Sequence, residues 1–244
     1  MTEPHYDVTG GGPVLLVVPG GAGHPMGLGP LTDRLAERFT VVTYDPLGLA
    51  HGRLGRPVPD QRVEEWSEGA HRVLEEVLPD GESAYVFGTS SGGIAVLDLR
   101  ARHPERLRHV VAHEAPCVTL PPDGARRRAE LIERLQGGQP PATDDESATP
   151  MDVFLARVLR PFTAYVPTGP ASPASAPLLT VAAGADSRGQ LLYETAESVA
   201  ARTGGGFAEF PGGHLGTLEH PVAFADRLTE TLVPVNTPGA PAII

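Results

Sequence analysis

In the run Gly88-Thr89-Ser90-Ser91-Gly92, an apolar segment, Ala84-Tyr85-Val86-Phe87, meets a helical one through the pattern G-x-S-x-G. That pattern is the signature of a nucleophile elbow, a strand-to-helix turn so sharp that its central residue takes a strained backbone conformation. The flanking glycines keep neighbouring side chains away, and the Ser90 hydroxyl then points out of the sheet's edge. Three other groups have matching chemistry. The glycine-rich loop Pro19-Gly20-Gly21-Ala22-Gly23 follows an apolar run and offers bare backbone N–H groups to an oxyanion. Two carboxylates follow apolar runs, Glu114 after 109–112 and Asp186 after 178–182. His214 sits in the loop Pro211-Gly212-Gly213-His214, just after a further run at 206–210.

The elements that must position these groups alternate between strand and helix along the chain. Strands are expected near 14–18, 40–44, 84–87, 109–112, 178–182 and 206–210. Helical spacing places Val63, Trp66, Ala70, Val73, Leu74 and Val77 on one face. The helix entered at Ser91 turns Ile94, Ala95, Leu97 and Leu99 inward and stops before His103-Pro104, where proline opposes continuation. Its N-terminus lies beneath Ser90, so the positive end of its dipole favours an oxyanion there. A further helix is expected over 221–232. Such alternation calls for an α/β fold, a mostly parallel central sheet with helices on both faces.

These motifs, in the order Ser, Asp, His, resemble the α/β-hydrolase-fold serine hydrolases, and the likeness runs from about Val14 to Leu232. The resemblance implies Ser90 as nucleophile, His214 as general base and Asp186 as the acid that orients it. It also implies the amides of Gly21 and Ser91 as the oxyanion hole. For the acid, the run Gly184-Ala185-Asp186 is the usual family position, and a short Asp has fewer rotamers to freeze than Glu114. Glu114 is the alternative, because the ends of adjacent parallel strands lie side by side.

Composition narrows the function classes. With a formal net charge of −11, the chain is a poor partner for nucleic acid or an anionic membrane. All nineteen Lys and Arg residues are arginine, which removes Schiff-base chemistry, a P-loop lysine and a lysine base together. Cys117 is the single cysteine, and the nine histidines form no H-E-x-x-H or short-spaced cluster, so neither disulfide, cofactor nor metal is expected. His24, His51 and His113 read as structural or solvent-facing. No signal peptide or membrane-length apolar run is visible, so cytoplasmic is the default location.

The core is expected to comprise residues 1–114 and 177–233, with 115–176 inserted as a short helical lid and 234–244 as a loose tail. Two amphipathic stretches, 124–135 and 151–162, are separated by a Pro/Gly/acidic linker at 137–150, and a second linker follows at 168–177. Such linkers bury too little apolar area to offset their ordering entropy and are expected to move. Leu131, Leu135, Phe154, Leu155, Val158 and Phe162 are placed to roof an apolar pocket. The expected activity is hydrolysis of a carboxylic ester, lactone or thioester with an apolar acyl group, through an acyl-enzyme. Two other classes fit the same scaffold: a lyase or cofactor-free oxygenase using His214 as base, and a non-catalytic small-molecule binder.

Overall fold

The computed structural model describes residues 4–137, 149–169 and 177–233. Seven strands form one sheet: β1 (His5–Gly10), β2 (Val14–Val18), β3 (Thr40–Asp45), β4 (Ala84–Thr89), β5 (Leu107–His113), β6 (Leu178–Gly184) and β7 (Gly206–Phe210). Their spatial order is β1-β3-β2-β4-β5-β6-β7, and every neighbouring pair is parallel except β1 on β3. The chain moves outward from β2 to β3 and then returns to the other side of β2 with β4. The carboxyl ends of β2 and β4 therefore flank a topological switch point, where open α/β sheets leave a crevice.

Strand alternation builds the two layers. Leu16 and Val18 of β2, with Ala84 and Val86 of β4, face a core completed by helix α2 (Val63–Val77), α3 (Ser91–Arg102) and α7 (Leu191–Thr203). Leu15, Val17, Tyr85 and Phe87 face the opposite layer, formed with α1 (Gly29–Ala36) and α9 (Pro221–Leu232). A fully buried Leu or Phe on either face contributes about 1.5–3 kcal/mol. Helix α3 runs between sheet and neighbours, so all ten residues from Ser91 to Arg100 are buried.

All six expected strands form, with β3, β4, β5 and β6 each running one to three residues longer than expected. The expectation had no strand at the N-terminus, yet β1 pairs with β3 from His5↔Asp45 to Gly10↔Thr40. Its sequence, His-Tyr-Asp-Val-Thr-Gly, has Val8 half exposed and buries no side chain fully, so it is held by ladder hydrogen bonds rather than by an apolar pattern. In the inserted segment, α4 (Gly124–Gln136) forms as expected. The second stretch is helical from α5 (Pro150–Val153) to α6 (Leu159–Phe162), with a wider π-type turn between them at Phe154–Val158. The linkers 137–150 and 168–177 fall mostly, and the tail 234–244 wholly, outside the described residues. No helix among those residues is long and apolar enough to cross a membrane.

Candidate active site

Ser90 occupies the tip of the turn between β4 and α3 with φ 53° and ψ −122°, a conformation that costs on the order of 1–3 kcal/mol in a non-glycine residue. Surrounding packing holds it there. The Ser90 N–H donates to the carbonyl of His113 at the end of β5, 2.9 Å away, and the Ser90 carbonyl accepts from Ile94 in the first turn of α3. The two motif glycines are required by close approach: a Cβ on Gly88 would lie 2.3 Å from the Gly92 carbonyl oxygen, and one on Gly92 would lie 2.0 Å from that of Val18. Helix and strands meet too tightly for any side chain.

The loop after β2 closes over the same point. A Cβ on Gly20 would come within 2.9 Å of the Ser90 Cβ, and Gly21 next to it takes φ 60°. Gly21, Ser90, Ser91 and His214 all line one cavity of about 490 Å³ at the switch point. Most of its remaining wall is apolar, with Leu131, Leu135, Met151, Phe154 and Phe162 supplied by α4 and the α5–α6 stretch. Of the residues expected to roof it, Val158 is instead wholly buried in the larger core cluster, and Leu155 does not line it.

His214 follows β7, and its Nδ1 lies 3.0 Å from Glu114 Oε2. An ionised carboxylate only accepts, so Nδ1 carries the proton and, in the neutral ring, Nε2 keeps the free lone pair. The other Glu114 oxygen accepts the Gly184 N–H at 2.9 Å, and the Ser187 hydroxyl is a further partner. The Glu114 backbone is itself strained, at φ 41°, and its N–H donates to the Ala182 carbonyl at 2.9 Å. Burial alone pushes a carboxyl pKa up. Here the bonds from His214, Ser187 and Gly184, with neighbouring His113, outweigh burial and hold Glu114 at about 2.

This corrects the placement of Asp186 expected from the sequence. Beyond β6 the chain enters a tight turn, Ala185–Ser187, in which the Asp186 N–H is tied to the Gly212 carbonyl, 3.0 Å away. That turn buries Ser187 and leaves Asp186 exposed. The glutamate starts one strand further from the histidine loop, and its longer side chain passes beneath Gly184 to reach Nδ1. Gly184 permits this layering: a Cβ there would lie 2.4 Å from the Gly212 oxygen. Ser187 had no signal of its own, since its inward direction depends on the turn.

Of the three histidines read as structural, His113 is fully buried and meets Thr89 Oγ1 at 3.0 Å, and His51 meets Asp45 at 2.9 Å. His24 lines the cavity, its Nδ1 accepting from the Met26 N–H. The nearest approach to a metal-ligand group among the described residues is His71, His103 and Glu105. The two rings stack at 3.8 Å and 6°, so their lone pairs lie in parallel planes and do not converge on one ion.

The comparisons with known proteins place the chain. Residues 14–227 match the model of the alpha/beta hydrolase family, and the chain belongs to that family. YraK, an uncharacterized hydrolase of Bacillus subtilis, is 31% identical over 256 residues, covering 93% of this chain and 92% of its own. Among solved structures, a thermophilic esterase from Thermogutta terrifontis superposes with a TM-score of 0.67 at 18% identity, over 94% of this chain and 92% of that one. An enol-lactonase from Burkholderia xenovorans gives 0.58 at 17%, over 94% and 96%. The last two likenesses speak for the fold, and family and relative together make the activity class a hydrolase.

Proposed function

We propose that this hydrolase cleaves a carboxylic ester, or a chemically adjacent lactone or thioester, with Ser90 as nucleophile, His214 as general base and Glu114 as the group that orients it. The observation that carries the reading is the strained Ser90 in one cavity with His214, whose Nδ1 is fixed by a fully buried carboxylate. Nε2 takes the Ser90 proton as Oγ attacks the carbonyl carbon, and Glu114 stabilises the imidazolium that forms. The Gly21 and Ser91 amides are the donors for the oxyanion, each worth on the order of 3 kcal/mol of barrier. The imidazolium then protonates the leaving group, and water, deprotonated by His214, releases the acid. The apolar wall favours an apolar acyl group, and α4 with the α5–α6 stretch acts as a lid over it.

A fluorophosphonate is expected to label Ser90 stoichiometrically, and a panel of esters of increasing acyl length to show rising kcat/KM that Ser90→Ala abolishes. Turnover without labelling would move the reading to a lyase or oxygenase with His214 as base, and neither labelling nor turnover would leave a binder.

A further inference from the structure

A second, smaller cavity of about 170 Å³ lies between the N-terminal end of β1, the loop after β3 and helix α2, and Ser90 does not line it. Three arginines do: Arg53 and Arg56 from the loop and Arg72 from α2, joined by His5 and Tyr44. In a chain of net charge −11, three arginines around one small cavity are against the general balance. Among the described residues none of the three has an ion-pair partner, and the Arg72 Nε is buried without a hydrogen bond. The carboxylate next to Tyr44 in sequence, Asp45, is committed to the Leu49 and Ala50 N–H groups and to His51.

Tyr44 is the independent observation. It is 3% exposed, yet its hydroxyl has no hydrogen-bond partner among the described residues. Space has been made for that hydroxyl: a Cβ on Gly69 of α2 would lie 1.8 Å from it. Tyr44 lines the cavity and its hydroxyl is not among the polar atoms sealed off from solvent, so that hydroxyl is left to a partner entering the cavity.

We propose that this cavity binds a small oxyanion of the phosphate type. Guanidinium forks match the paired oxygens of a phosphoryl group, and Tyr44, which also lines the cavity, would supply a neutral O–H donor. A group of this chemistry offers acceptors on every face and meets the otherwise unanswered donors of Arg72 and Tyr44. Only a few side chains separate the two cavities: Leu47 and Val58 of this one pack in a small cluster with Ala22 and Phe154 of the other. The anion would thus sit behind the wall of the Ser90 cavity without entering it.

The test is calorimetric titration with inorganic phosphate and with glycerol phosphate, against sodium chloride at matched ionic strength, with thermal melting alongside. Saturable one-to-one binding of inorganic phosphate, with a rise in Tm that chloride does not give, is expected. Binding of glycerol phosphate alone would identify the phosphoryl group of a larger molecule as the ligand. Arg72→Met should weaken binding about tenfold or more, and Tyr44→Phe by about threefold or more, as loss of charge-assisted and neutral hydrogen bonds requires. Arg56→Gln, at an exposed position, supplies the same readout should Arg72→Met fail to fold, and Ser90→Ala should bind as the parent does. No saturable signal with either phosphate, an equal effect of chloride, or unchanged affinity in the folded arginine variants would overturn the proposal.

Discussion

Glu114 and His214 stand 100 residues apart in the chain and 3.0 Å apart in space, joined Oε2 to Nδ1 with the glutamate wholly buried. The pairing spans three adjacent strands, because Glu114 directly follows β5, its second oxygen is held by the last residue of β6, and His214 follows β7.

Exchange of that acid separates the two carboxylates. Glu114→Gln, which keeps shape and the Gly184 bond but favours the wrong imidazole tautomer, should lower kcat by about 10³-fold or more. Asp186→Asn, at an exposed position, should stay within about twofold. Steady-state kinetics of both folded variants decide it, and the reverse order would return the role to Asp186.

Ser90 ties activity to strain. Ser90→Ala should cost roughly 10⁴-fold or more in turnover with the fold intact. Ser90→Gly should be equally inactive while melting no lower than Ser90→Ala, since glycine accepts φ 53° without penalty. Activity assays with paired thermal melts check both halves, and a glycine variant clearly less stable than the alanine one would contradict the strain.

Stability should fall on acidification in two steps. Burial pushes the His113 pKa down from 6.5 to about 4, so the unfolded chain binds a proton there that the folded one refuses. The stability is therefore fully present above pH 6.5 and is lost as pH falls to 4, by on the order of 3 kcal/mol. Glu114, held at about 2 rather than 4.5, adds a second loss as pH falls from 4.5 toward 2. Denaturant titrations at a series of pH values should show the first limb, and His113→Gln should flatten it. A wild-type profile level from pH 7 to 4 would count against this account.

The layering at Gly184 should be intolerant of a methyl group. Gly184→Ala places a Cβ 2.4 Å from the Gly212 oxygen and 2.6 Å from the Gly213 Cα, so the loop bearing His214 must shift. A displacement of about 1 Å can cost 10²-fold in kcat, and KM should change far less. Gly213→Ala, whose nearest neighbour would be the Ser187 hydroxyl at 3.3 Å, should be milder, and kinetics of the pair test the ranking.

The sequence carried those parts of the site fixed by close local packing. Gly88, Ser90 and Gly92 were legible because a strand-to-helix turn this tight tolerates few residue types, and the six parallel strands because short runs rich in apolar residues, bounded by turn residues, have few other uses in a mixed chain. The acid was not legible in the same way. Glu114 and Asp186 both follow apolar runs, and what separates them is the turn at Ala185–Ser187, which buries Ser187 and sends Asp186 outward. Strand β1 was hidden for a different reason: its hydrogen bonds are backbone ones, to which side-chain pattern is blind. The meeting of Arg53, Arg56 and Arg72 with Tyr44 depends on tertiary placement alone.

Because Glu114 precedes the long excursion from β5 to β6 and grips Ala182 and Gly184 where the chain returns, the excursion begins and ends at one hydrogen-bonded seam. A chain opened within it would carry Ser90 and Glu114 on one fragment and His214 on the other. Neither fragment alone would hold a complete relay, so turnover would serve as a readout of the two halves finding each other, with the seam at Glu114 acting as the clasp.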